Sequence, residues 1–105
     1  MKTGHQTDAR GLVVFDLPRG LDDGSSARHR RGLLRPSTLR DEVKALSDFR
    51  AHLRPESFPC VLLGRVVVKL GSLERVDFGV IQALPDEDRD FLVRLYEEVN
   101  GYDRA

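Results

Sequence analysis

The run from Cys60 to Leu70, CVLLGRVVVKL, is the most apolar stretch of a 105-residue chain, and any core the chain builds must include it. Two readings compete for it. The successive valines Val66, Val67 and Val68 favour a buried strand. Against this, Pro59 suits the first turn of a helix and Gly71 a helix C-cap. Leu63, Val66, Val67 and Leu70 also fall at the i, i+3, i+4 and i+7 positions, and the length is at the helical end of the range. The reading taken is a central helix from Pro59 to Leu70, apolar on most sides, with Gly64 admitting the close approach of a neighbour. The run is broken by Gly64, Arg65 and Lys69 and is far shorter than the roughly 20 apolar residues that span a bilayer.

The remaining segments are arranged around this one. Val13, Phe15 and Leu17 alternate onto one face of a strand that Pro18 and Gly20 bring to a stop. Asp22-Asp23-Gly24-Ser25 is turn chemistry, and Arg28 to Arg35 is a second extended piece closed by Pro36. Two strands alone are marginal in water, so this hairpin needs a cover. Ser37 or Thr38 caps a helix with Asp41 and Glu42 in its first turn and Leu39, Val43, Leu46 and Leu53 at helical spacing. Asp77 caps a short helix carrying Phe78, Ile81 and Leu84. Pro85 opens the last helix, whose stripe is Phe91, Leu92, Leu95, Tyr96 and Val99 and which ends at Asn100-Gly101. The expected fold is α+β, an N-terminal β-hairpin followed by about four helices forming a small helical bundle. Residues 1–10 are expected to be a flexible polar arm and residues 11–105 a single domain.

Lys plus Arg and Asp plus Glu are 17 each, which excludes a strongly basic nucleic-acid binder at the level of the whole chain. The single Cys60 excludes an internal disulfide framework and a cysteine-based zinc cluster. His5, His29 and His52 are too scattered for metal-ligand spacing, and the acids from Asp86 to Asp90 suit the start of a helix. The glycines form no phosphate-binding loop. No catalytic, cofactor or metal residue is assigned, and the chain is expected to be non-enzymatic, without cofactors, and cytoplasmic, with no membrane partner. Arg28-His29-Arg30-Arg31 is the only basic cluster; it reads as a strand edge guarded by charge, with a phosphate-contacting ribbon as the alternative.

The order of segments resembles the small tail-assembly proteins encoded with contractile phage tails and phage-tail-like injection systems, which are similar to baseplate-hub assembly chaperones. The resemblance runs from about residue 12 to residue 101. It is carried by Val14-Phe15-Asp16-Leu17-Pro18-Arg19-Gly20, Arg31-Gly32-Leu33-Leu34-Arg35, the stretch from Leu62 to Leu73, Val80-Ile81-Gln82-Ala83-Leu84, and the stretch from Asp90 to Gly101. Gly64 in place of Ala, and Pro85-Asp86-Glu87 in place of a more apolar helix start, depart from that pattern. The resemblance implies a chaperone-like assembly factor that binds a tail, hub or baseplate component and carries no catalytic residues. The alternatives are a structural subunit retained in the assembled tail and a small nucleic-acid-binding regulator using the Arg28–Arg31 ribbon. The candidate partner-binding residues are Val13, Phe15 and Leu17 on the strand and Phe91, Leu92, Leu95 and Tyr96 on the last helix. One face is expected to bury against the core and leave the other for a client.

Overall fold

The structure is a computed structural model that describes residues 6–24, 28–73 and 75–101. Strands β1 (Gln6–Thr7), β2 (Val13–Asp22), β3 (Arg28–Leu34) and β4 (Val67–Leu70) form one antiparallel sheet in that order. The helices are α1 (Leu39–Leu46), α2 (Phe49–Leu53), α3 (Phe58–Val66), α4 (Phe78–Gln82) and α5 (Asp86–Val99), with a 3-10 turn at Pro55–Ser57. The mixed α+β class is as expected, but the sheet has four strands rather than an isolated pair. The period-two alternation in β2 buries Val13, Phe15 and Leu17 beneath the helices, and Asp16 faces water. Leu34, Val67 and Leu70 from the neighbouring strands join them. Val61, Leu62, Leu63 and Val66 of α3, Ile81, Leu84 and Leu92 complete one continuous core.

Three expectations are corrected. The central segment is not helical from Pro59 to Leu70: α3 ends at Val66 and the chain turns directly into β4, with Val67 already extended at φ −82°, ψ 110°. Both competing signals were real, and each governs one half of the run. Pro59 lies in the first turn of α3, and Val67 and Val68 open β4, where Val67 pairs with Leu34 of β3.

The supposed arm is in part a strand. Gln6 and Thr7 pair with Val14 and Val13, and the carboxylate of Asp8 holds the turn by accepting the N–H groups of Arg10 (2.9 Å) and Leu12 (3.0 Å). The rest of that expectation, residues 1–5, lies outside the described residues.

Pro18 does not stop β2. Between the pairs Asp16–Arg31 and Leu21–His29 the register shifts, and the extra residues of β2 form a bulge around Pro18, Arg19 and Gly20, with Gly20 at φ +93°. A bulge accommodates a residue without an N–H, and the strand resumes beyond it. Side chains satisfy the backbone groups that the bulge frees. Asp88 accepts from the N–H groups of Arg19 (2.9 Å) and Gly20 (2.8 Å), Arg30 Nε donates to the Leu17 carbonyl (2.9 Å), and Arg28 donates to the Arg19 carbonyl (3.3 Å).

Candidate protein-interaction surface

Helix α1 is amphipathic in the inverted sense: its polar side faces the protein and its apolar side faces water. Thr38 and Asp41 form a reciprocal capping box, in which Thr38 Oγ1 accepts the Asp41 N–H and the Asp41 carboxylate accepts the Thr38 N–H at 2.8 Å. The same carboxylate takes two parallel bonds from the Arg35 guanidinium, both 2.8 Å, and one from Arg65 Nε at 3.2 Å. The Arg35 fork holds the buried Asp41 carboxyl far below the usual carboxylate range, against the opposing effect of burial. One turn on, the fully buried Ala45 lets α1 lie close to its neighbours. Tyr96 of α5 closes the arrangement, its hydroxyl 2.8 Å from both Ser37 Oγ and Glu42 Oε2. Burial and the nearby Glu42 push its phenol up to about 12.

With the inward positions given to Asp41 and Ala45, the i, i+4, i+7 set Leu39, Val43 and Leu46 points outward. Helix α2 continues the pattern. Asp48 caps it, accepting the Arg50 N–H at 2.8 Å, and Phe49 and Leu53 are exposed. These five side chains are between 52% and 76% exposed, well beyond the scattered single apolar residues of an ordinary surface. Beside Leu53, a cavity of about 300 Å³ opens between α2 and α4, lined by Arg50, Leu53, Arg54, Ser57, Phe78 and Gln82. The Arg50 guanidinium lies 4.4 Å from the Phe78 ring centroid and is ion-paired with Asp48 at 2.9 Å.

The residues singled out from the sequence are elsewhere, and they are brought together. Helix α5 lies directly on β2, so the two stripes that each required a cover are each other's cover. The Phe15 and Phe91 rings pack at 6.4 Å between centroids, tilted by 56°. Val13, Phe15, Leu17, Leu92, Leu95 and Tyr96 are buried and Phe91 is half-buried against them, so neither face is left open for a client. What remains of the α5 stripe at the surface is a shallow apolar groove of about 140 Å³ against α3, edged by Val93, Tyr96, Phe58 and Leu62.

The signal for the exposed face was present as the helical spacing of Leu39, Val43, Leu46 and Leu53. That spacing identifies an apolar stripe without saying which way the stripe points. The inward bonding of Asp41 decides it.

Arg28 and Arg30 of the basic cluster are bonded to carbonyls of the β2 bulge, and Arg31 pairs with Asp16 at 3.1 Å across the strands. His29 is buried, with Nε2 2.6 Å from Asp23 Oδ2 and its ring against Gly71. Burial raises the Cys60 thiol above its ordinary value, away from thiolate chemistry. Among the described residues no group of His, Cys, Asp or Glu side chains is clustered to hold a metal ion, and no helix is long and apolar enough to cross a membrane. No protein-family model, curated protein or solved structure matches this chain.

Proposed function

We propose that this chain is a non-enzymatic assembly factor that holds a tail, hub or baseplate component of a contractile phage tail or phage-tail-like injection system, and that it does so with the outward face of α1 and α2. The observation that carries the docking surface is the exposure of Leu39, Val43 and Leu46 on α1, whose Asp41 is anchored inward, continued by the exposed Phe49 and Leu53 of α2. An apolar face of this kind suits the helix-in-groove and helix-on-helix modes of peptide and protein recognition. The assignment to tails rests on the resemblance in segment order from residue 12 to residue 101.

The test is co-expression with individual tube, sheath, hub and baseplate proteins, followed by purification and by mass spectrometry of finished particles. The expected result is one co-purifying soluble partner, lost on Val43→Glu or Leu46→Glu, and no copies of this chain in the particle. Stoichiometric occupancy in the particle would make the chain a structural subunit instead. Retention of the partner by both variants would remove the α1–α2 face from the reading.

A further inference from the structure

The outward face of α1 and α2 carries more information than its hydrophobicity. Cations surround it: Arg40 and Lys44 on α1, and Arg50 and Arg54 at the α2 end, all exposed. Arg50 is neutralised by Asp48, but Arg40, Lys44 and Arg54 make no ion pair among the described residues. The acids nearby are differently placed. Asp41 is buried beneath α1 under two guanidinium groups, Asp48 is held by Arg50, and the Glu42 carboxylate accepts the Tyr96 hydroxyl. Glu56 and Asp77 are the remaining exposed acids of this region. The Asp77 carboxylate caps α4, accepting the Val80 N–H at 3.2 Å, and lies close enough to Arg50 to act on it, which leaves Arg54 as the cation of the cavity with no acid against it among the described residues. The cavity between α2 and α4 lies at the cationic end. Its walls are apolar at Leu53 and Phe78 and hydrogen-bonding at Arg50, Arg54 and Gln82, a combination that suits the stem and head of a carboxylate side chain.

Deepening the docking role proposed above, and resting on it, we infer that the occupant of this face is an amphipathic helix of a partner protein with acidic residues flanking its apolar stripe, one of which enters the Arg50–Arg54 cavity. A second copy of this chain is disfavoured by its own charge. Face-to-face docking would set Arg40, Lys44 and Arg54 against the same cations of the mate, and like charges across an interface weaken the pairing. The apolar stripe supplies affinity, and the cations supply orientation and rate of encounter.

The experiment uses the full chain and two fluorescein-labelled synthetic helices of about fifteen residues, a length at which isolated helices begin to form. Both carry Leu at i, i+3, i+4 and i+7; one has Glu and the other Lys at the flanking positions. Binding is read by fluorescence anisotropy at low and high salt. The acidic helix is expected to bind at least tenfold more tightly than the basic one, with the difference shrinking as salt rises. Arg54→Glu is expected to reduce or reverse the preference, and pairing Arg54→Glu with the Lys helix to restore binding. Equal binding of the two helices, or an unchanged preference in Arg54→Glu, would overturn the inference. So would tighter association with phosphatidylserine-containing vesicles than with the acidic helix, or dimerisation in sedimentation that Val43→Glu abolishes. Because no tail protein is present, a negative result here leaves co-purification of a tail component standing, and a positive one does not depend on it.

Discussion

Asp88 Oδ2 accepts the backbone N–H of Gly20 at 2.8 Å, from a position with no solvent exposure. Its other oxygen takes the neighbouring N–H of Arg19 at 2.9 Å. A first-turn acid of α5 therefore does more than complement the helix dipole. It fastens α5 to the one place where β2 leaves its ladder with β3, and Phe15 and Phe91 pack where the same two elements meet.

Asp88→Ala should leave the buried Gly20 N–H and the partly buried Arg19 N–H without their acceptor. At about 1–3 kcal/mol for a buried unsatisfied group, and about 1 kcal/mol for the Arg19 N–H that water partly reaches, the expected loss is about 2–4 kcal/mol, a large part of the stability of a domain this size. Asp88→Asn keeps one acceptor but turns an NH₂ toward the other N–H, and should cost nearly as much. Urea denaturation of the variants measures this. Asp86→Ala, on an exposed neighbour in the same turn, is expected to change stability by less than about 0.5 kcal/mol.

The valines divide sharply across the junction of α3 and β4. Val66 and Val67 are 0% and 2% exposed, and Val68 is 44% exposed. Val67→Asp places an unpaired charge in the core and should unfold the protein, whereas Val68→Asp should melt within a few degrees of the parent. Far-UV circular dichroism with thermal melts distinguishes the two. Folded Val67→Asp protein would contradict the buried, extended placement of that residue.

That junction also shows where sequence reading stops. Thr38 and Asp77 were legible as helix starts because a capping side chain bonds the next few N–H groups locally, and Pro85 because its fixed φ and missing N–H suit the entry to a helix. Val13, Phe15 and Leu17 were legible as one face of a strand because the period of two is local as well, but whether the core or a client covers that face was not. Whether Val67 continues a helix or begins a strand depends on β3 being alongside to pair with it, and that is a tertiary fact. The same holds for the candidate site. The stripe of Leu39, Val43 and Leu46 is visible at helical spacing, but its outward orientation follows from Arg35 and Arg65 meeting Asp41, the latter from far along the chain. The assignment of Phe91, Leu92, Leu95 and Tyr96 to a client failed for this reason too, since nothing local shows that α5 lands on β2.

Gly64 fulfils its expected role at a specific contact. A Cβ there would stand 2.7 Å from the Phe78 nitrogen and 2.9 Å from the Asp77 carbonyl carbon, at the start of α4. Backbone cannot yield as a flexible side chain does, so Gly64→Ala should push α4 away and cost about 1–3 kcal/mol despite the better helix propensity of Ala. Gly79, where the added Cβ meets only the Asp77 carboxylate at 3.5 Å, is the control: Gly79→Ala should be neutral or slightly stabilising in the same denaturation assay.

Acid should loosen α1 through Asp41. Its carboxyl is depressed in the folded protein below the ordinary 3.8, chiefly by Arg35, so the folded state binds this proton less readily than the unfolded chain. The stabilisation is therefore complete above about pH 4, and it declines as pH falls below the ordinary value toward the depressed one. Asp41→Asn should remove this component of the acid dependence and lower stability near neutral pH by about 2 kcal/mol, because Arg35 and Arg65 keep their charge and lose their partner. Stability measured from pH 2 to pH 7 for both proteins tests the sign: a parent protein whose stability rose on acidification over that window would contradict it.

The two sides of α1 should respond to substitution in opposite ways. Ala45 is fully buried and packed, so Ala45→Leu overfills its site and should cost about 1–3 kcal/mol. Val43 and Leu46, on the apolar side, have little to lose. Val43→Ser with Leu46→Ser removes no core contact of the kind that holds α3 to the sheet, and the expected change in stability is within about 0.5 kcal/mol for each substitution. In an ordinary amphipathic helix the result would be reversed, with serine on the apolar stripe destabilising. The double variant should keep the denaturation midpoint of the parent, bind less of an apolar reporter dye, and lose the co-purifying tail component. A folded double variant that still captured that component would place the docking surface elsewhere on the molecule, and a variant that unfolded would show that the stripe of Leu39, Val43 and Leu46 supports the fold itself.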